Sequence, residues 1–155
     1  MKRIFLSLCL ILIGSIVFGA TTAFAQKKKM AKKPILWAAE DIKWVELKDA
    51  PPGAMGAALW GNMAKGAYGA LAKFGQAMDN PLHTHTNDTK AVVISGSFWY
   101  ASEGGEKKML GPGSYFMIPG GLRHTSGAEA GTIMFQEGPG KFDMKMVKAA
   151  MEKKK

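Results

Sequence analysis

Three histidines, His83, His85 and His124, are all the imidazoles this chain carries. His83 and His85 stand one residue apart, so in an extended strand both rings leave the same face, close enough to share one divalent ion. An H-x-H pair alone also occurs on ordinary loops. His124 adds weight because it sits in a frame of its own: Gly113, five residues, Pro119, one residue, Gly121, two residues, His124. Other chemistries lack their residues. The chain has no Gly-x-Ser-x-Gly elbow, no phosphate loop ending in Gly-Lys-Ser/Thr and no Gly-x-Gly-x-x-Gly after a strand, which sets serine catalysis and nucleotide chemistry aside. The single cysteine, Cys9, lies in an N-terminal apolar run, so an exported domain would have neither a disulfide nor a thiolate ligand.

The elements that must position these side chains are short apolar runs separated by Gly, Pro, Asn and Asp, a strand pattern. Strands are expected at Ile42–Leu47, Tyr68–Phe74, Ala91–Ser95, Phe98–Ala101, Lys107–Leu110, Ser114–Ile118 and Thr132–Gln136, with turns at Pro51–Gly53, Gly75–Pro81, Gly104-Gly105, Gly111–Gly113 and Gly120-Gly121. Seven short strands in about a hundred residues predict an all-β domain, a closed antiparallel barrel or double-sheet jelly roll. The Gly/Ala-rich stretch from Gly53 to Gly75 repeats Gly-Ala at irregular spacing and reads as composition. A short C-terminal helix is expected after Asp143, which can cap a segment whose Met144, Val147 and Met151 recur at helical spacing.

The N-terminus has its own logic. Lys2 and Arg3 precede an uncharged apolar run from Ile4 to Ala20, and Ala23-Phe24-Ala25 precedes Gln26, which reads as a signal peptide at 1–25 and predicts periplasmic or secreted residence after cleavage following Ala25. The net charge of +9 then has to be located before it is interpreted. Residues 34–142 carry nine Lys or Arg against ten Asp or Glu, so the folded part is near neutral and the excess lies in the lysines of a 26–34 linker and a 144–155 tail. Neither tail interleaves aromatics with its lysines, so no platform for stacking bases exists and nucleic acid is not an expected partner. Peripheral contact with an anionic surface through the lysine tails is the remaining electrostatic expectation.

With these residues in place the segment 35–143 resembles the cupin superfamily, the RmlC-like jelly roll, as a small exported single-domain member of a subgroup without a known activity. Its two motifs are G-x5-H-x-H-x3,4-E-x6-G and G-x5-P-x-G-x2-H-x3-N. Gly113, Pro119, Gly121 and His124 match the second, with Ala128 in the asparagine position. His83, His85 and Gly96 match the first, with Ala77 in place of the opening glycine. The resemblance implies that His83, His85 and His124 converge on one divalent ion, whether zinc, iron, manganese, nickel or copper, and that the protein forms a homodimer. The motif's glutamate is missing: Thr89 or Lys90 occupies its place. Three neutral imidazoles leave the ion its full double charge and open positions, similar to three-histidine cupin dioxygenases.

The function expected is a metal-dependent enzyme, dioxygenase-like, on a small oxyanion or diketone-type substrate. The alternative is a non-catalytic small-molecule binding or sensing barrel with a weak or absent metal site. Phe98, Tyr100 and Tyr115 are candidates for the ligand-contacting lining, against the simpler expectation of barrel core, and Tyr100 and Glu103 are candidate proton-transfer groups if they reach the opening. Trp37, Trp44 and Trp60 are expected to fasten the N-terminal segment to the barrel.

Overall fold

The computed structural model of the protein describes residues 33–48 and 50–148. The expected signal peptide, most of the linker and residues 149–155 lie outside the described residues. After a single 3-10 turn at Ala39–Asp41 the chain runs through eleven strands: β1 (Val45–Glu46), β2 (Ala54–Gly61), β3 (Tyr68–Phe74), β4 (Met78–Thr84), β5 (Thr89–Ser95), β6 (Phe98–Ser102), β7 (Lys108–Leu110), β8 (Tyr115–Ile118), β9 (His124–Ala128), β10 (Thr132–Gly138) and β11 (Lys145–Met146). They form two antiparallel sheets, β1-β2-β3-β10-β5-β8 and β11-β4-β9-β6-β7. β1 to β3 share one sheet and β6 and β7 the other, but elsewhere from β3 to β11 the chain crosses between the sheets at each connection, and the result is the all-β jelly roll that the strand spacing and the paired motifs predict.

The core between the sheets is built on small residues. Ala72, Ala91, Val93, Phe98, Ala128 and Met134 are buried in one cluster, with Phe74, Met78, Tyr100, Leu110 and Phe116 packed against it. The Gly/Ala stretch that read as composition is in fact β2 and part of β3, paired in register from Ala54↔Phe74 to Gly61↔Tyr68. Small side chains have weak strand preference on their own, and here the pairing with β3 defines the strand. Ala70 and Ala72 keep the inner face low, and on the outer face the Trp60 indole lies over Gly69, where a Cβ would collide with it. Trp37 donates from Nε1 to the Leu59 carbonyl at 2.8 Å, and Lys73 Nζ stands 6.0 Å over the Trp44 ring, so both tryptophans do tie the N-terminal segment to the β2–β3 pair.

Two expectations are corrected, and one strand lies where none is expected. The turn placed at Gly75–Pro81 ends earlier, because β4 begins at Met78 and carries Pro81 inside it at a register shift between Asn80 and His83. A bulge is where a strand tolerates proline, which has no ladder N–H to give. The strand β9, His-Thr-Ser-Gly-Ala, has no apolar run to announce it and exists because both its edges are paired, to β4 and β6. The expected C-terminal helix from Asp143 is replaced over the described residues by β11, with Lys145↔Thr84 and Met146↔His83. Asp143 is not free to cap a helix, since its carboxylate accepts from the Thr86 backbone N–H at 2.8 Å and the Thr86 hydroxyl at 2.6 Å. Of the expected stripe, Met144 is exposed and Val147 half-buried, while Met151 lies outside the described residues.

Candidate metal centre

The histidine cluster is built by one register pair and one loop. His83 on β4 faces His124, the first residue of β9, directly across the ladder, and His85 follows one residue beyond the end of β4. Ring centroids are 4.1 Å apart for His83 and His124, 5.0 Å for His83 and His85, and 5.2 Å for His85 and His124. One ligand nitrogen from each ring lies within 4.8 Å of the others, and the residues are 1%, 6% and 1% exposed in sequence order. The expectation that an H-x-H pair on extended chain shares a face is therefore met, and His124 joins that face.

The hydrogen bonds decide which nitrogen is available. Nδ1 of His83 donates to the Pro81 carbonyl at 2.7 Å, Nδ1 of His124 to the Leu122 carbonyl at 2.9 Å, and Nδ1 of His85 to the Asp143 carbonyl at 2.6 Å. A carbonyl only accepts, so each Nδ1 carries the proton and each neutral ring keeps its lone pair on Nε2. The Nε2 atoms of His83 and His124 are buried without a hydrogen-bond partner. Two buried acceptors with nothing to accept are costly in a folded interior, by about 1–3 kcal/mol each, unless something completes them. A divalent ion fits the donor set: three imidazoles, Nδ1–H anchored to backbone oxygens in the manner of orienting partners at histidine–metal sites, with one ligand nitrogen of each ring within 4.8 Å of the others. Burial is the main cause that holds His85 below its ordinary pKa, opposed by the Asp143 carbonyl, and burial likewise lowers His124 to about 4. Rings that resist protonation stay competent ligands at neutral pH.

The position of the missing glutamate is resolved by the side-chain alternation of β5. Thr89 is buried and Lys90 is exposed, so Thr89 takes the inward place and the Lys90 charge points away from the cluster. Asp88, one residue earlier, is exposed and accepts from the Gly120 backbone N–H at 2.9 Å, fixing the Pro-Gly-Gly turn. Among the described residues the only group of three or more His, Cys, Asp or Glu side chains arranged to hold an ion is the histidine trio itself.

Residues 19–145 match the family model of a domain of unknown function, DUF4437. The chain belongs to that family. No curated protein matches it at the level of sequence. Among solved structures, the chain is similar to the polyketide cyclase RemF from Streptomyces resistomycificus, with a TM-score of 0.59 and 19% identity over 79% of this chain and 89% of that one. It is also similar to KdgF from a Halomonas species, with a TM-score of 0.55 and 21% identity over 69% and 94% of the two chains. An RmlC-like cupin from Ralstonia eutropha gives 0.57 and 19% over 72% and 74%. At such identities these likenesses establish the fold, a jelly roll of the shape those structures share.

The expected lining residues separate within this barrel. Tyr100 is beside the site, its ring stacked on His124 at 5.5 Å between centroids. Phe98 faces inward but away from the histidines: it pairs with Ala128 while Ser102, four residues on, pairs with His124, and its ring stacks on Phe116 at 4.8 Å in the core. Tyr115 is 61% exposed on the outer face of β8, because β8 turns Phe116 and Ile118 inward, so its expected place at a ligand mouth is a correction. Glu103 is engaged with Arg123 at 2.6 Å on the surface.

Two residues that no motif marks border the histidines instead. Phe142 tilts over His85 with centroids 5.0 Å apart, and Tyr68 stands edge-on to Phe142 at 6.4 Å. With His85, Thr89 and Asp143 they line a narrow crevice that has no room for a water molecule. Burial raises the Tyr68 phenol to about 12. The reason the sequence conceals them is distance along the chain: Phe142 lies 57 residues beyond His85, and only the return of the C-terminal segment across β4 brings them together.

Proposed function

We propose that this cupin is an exported metalloenzyme in which His83, His85 and His124 hold one divalent ion and a small oxyanion or diketone-type ligand takes the positions the imidazoles leave open. The observation that carries the reading is the pair of buried, unpartnered Nε2 atoms on His83 and His124 beside three Nδ1–H groups already committed to carbonyls. When bound, the ion would supply Lewis acidity undiminished by any protein carboxylate, polarising two ligand oxygens at once. The chain's own residues do the rest. The Pro81, Leu122 and Asp143 carbonyls fix ring orientation, Tyr100 packs against His124, and Phe142 shields the cluster from bulk water. What supports catalysis over storage is that a barrel of the same shape, RemF, is a polyketide cyclase.

The runner-up is a non-catalytic binding or sensing barrel, favoured by the closed crevice that Phe142 makes over His85. Metal analysis of the protein with each His→Ala variant beside it tests the centre: stoichiometric metal in the parent and its loss in all three variants is the expected result, and equal content in parent and variants ends the reading. Turnover of a panel of small carboxylates, oxo acids and diketones by the loaded protein separates enzyme from binder. Export, dimer formation and contact with an anionic surface through the lysine tails complete the proposal. Mass spectrometry of fractionated cells for a chain starting at Gln26, sedimentation, and vesicle binding at low and high salt test these in turn.

A further inference from the structure

Tyr68 is an inward-facing residue of β3, 2% exposed, and its hydroxyl has no hydrogen-bond partner among the described residues. A buried phenol ordinarily finds one. Its ring is held from two sides. Gly138, its partner across β3 and β10, has no side chain to obstruct it, and a Cβ there would come within 3.0 Å of Tyr68 Cε1. Phe142 stands edge-on against it and continues to His85, so the phenol, the phenyl ring and the imidazole follow one another along the crevice that Thr89 also lines.

Apart from the contacts of its ring with His85 and Tyr68, Phe142 belongs to a segment fastened by polar contacts. Asn87 Nδ2 donates to the Lys141 carbonyl at 3.0 Å, the Phe142 N–H donates to the Met63 carbonyl at 2.8 Å, and the Asp143 carboxylate takes the two Thr86 donors. These bonds are mostly solvent-exposed and break locally without unfolding the barrel. Swinging Phe142 out would open a place bounded by His85 on one side and the Tyr68 phenol on the other.

We propose that the Tyr68 hydroxyl is the hydrogen-bond donor that selects an anionic oxygen ligand, of the carboxylate or enolate class, at the three-histidine centre, and that Phe142 is the side chain this ligand displaces. The proposal rests on the metal-binding reading. Three neutral imidazoles leave two positive charges on the ion, which favours an anionic oxygen donor. A carboxylate or enolised diketone that gives one oxygen to the ion presents a second, and a dry phenol with nothing else to bond meets it.

The test uses the cobalt(II)-loaded protein, whose visible bands report ligand exchange, titrated with acetate and, separately, with imidazole, a ligand lacking an acceptor oxygen. Tyr68→Phe is expected to keep the parent's cobalt content and imidazole affinity, to lose roughly tenfold in acetate affinity, and to melt no lower than the parent, since no protein hydrogen bond is removed. Phe142→Ala is expected to tighten acetate binding or speed it. Unchanged acetate affinity in Tyr68→Phe overturns the selecting role. A parallel fall in acetate affinity, imidazole affinity and melting temperature makes Tyr68 a packing residue and also overturns it, and an unaltered acetate affinity and rate in Phe142→Ala overturns the displaced side chain. If the parent holds neither cobalt nor any of zinc, iron, manganese, nickel and copper, the metal-binding reading itself fails and this one falls with it, an outcome distinct from the others because elemental analysis reads it before any ligand is added.

Discussion

At the scale of single residues, Thr89 is the position where this site differs most from a carboxylate-bearing cupin. Because Thr89 is buried and Lys90 is exposed, Thr89→Glu is expected to tighten zinc at least about tenfold by adding an anionic ligand, while Lys90→Glu leaves affinity within about twofold. Competition against a chromophoric chelator measures both. Without metal, Thr89→Glu should melt below the parent, since a carboxylate enters a buried place with no partner, and zinc should reverse the loss. Proton linkage supplies a second residue-scale prediction. His124 titrates at about 4 in the fold, below the roughly 6.5 of a free imidazole, so between those values the unfolded chain binds more protons than the folded one. Stability of the metal-free protein therefore rises with pH across that window and is lost as pH falls from about 6.5 towards 4, with His85 acting in the same sense. Urea titrations across that range check the slope, and a flat profile contradicts the burial argument.

Elements decide how the residues are held. Gly96, the closing glycine of the first motif, turns β5 into β6 at φ +76°, and a Cβ there would come within 2.6 Å of the Thr132 Cα. Gly96→Ala should cost about 1–3 kcal/mol, from left-handed backbone and backbone collision together, as a shift of the urea midpoint at constant m-value. The C-terminal segment is held more lightly. The Thr86 hydroxyl and backbone N–H keep the Asp143 carboxyl below its ordinary range, so that contact contributes stability above the unfolded carboxyl pKa and loses it as pH falls below. Asp143→Ala is expected to speed hydrogen exchange at the Thr86 and Val147 amides, the latter bonded to the Leu82 carbonyl, while Met134 in the core keeps its protection. Equal acceleration throughout would mean that the segment and the barrel open as one unit. The strands Tyr68–Phe74 and Ala91–Ser95 were legible as hydrophobic runs, the second beginning two residues earlier, at Thr89. The strands β2, β9 and β11 were not. Ala, Gly, Ser and Lys carry little strand signal, and these three are held by their neighbours' ladders.

For the whole molecule, the near-neutral charge of residues 34–142 separates any surface electrostatics from the barrel. Removing the five lysines between Gln26 and Pro34 is accordingly expected to weaken salt-sensitive binding to anionic vesicles, removing those of the 144–155 tail as well to abolish it, and both to leave zinc affinity unchanged, measured by co-sedimentation beside chelator competition. The sequence by itself pointed to the class of fold and to the histidine trio as the candidate site, because both are written in local spacing: strand-length apolar runs, glycines and prolines at fixed offsets, and a chain with three histidines all in motif positions. Tertiary structure alone decided the rest. Which of Thr89 and Lys90 faces the ion depends on the strand's alternation against a core that only the two packed sheets define, and a slip of one residue reverses it. Tyr115 was drawn outward by that same alternation on β8. Tyr68 and Phe142 reach the histidine site only because β3 and the segment before β11 return to it from far along the chain, and no sequence pattern records a contact whose two sides are brought together by folding.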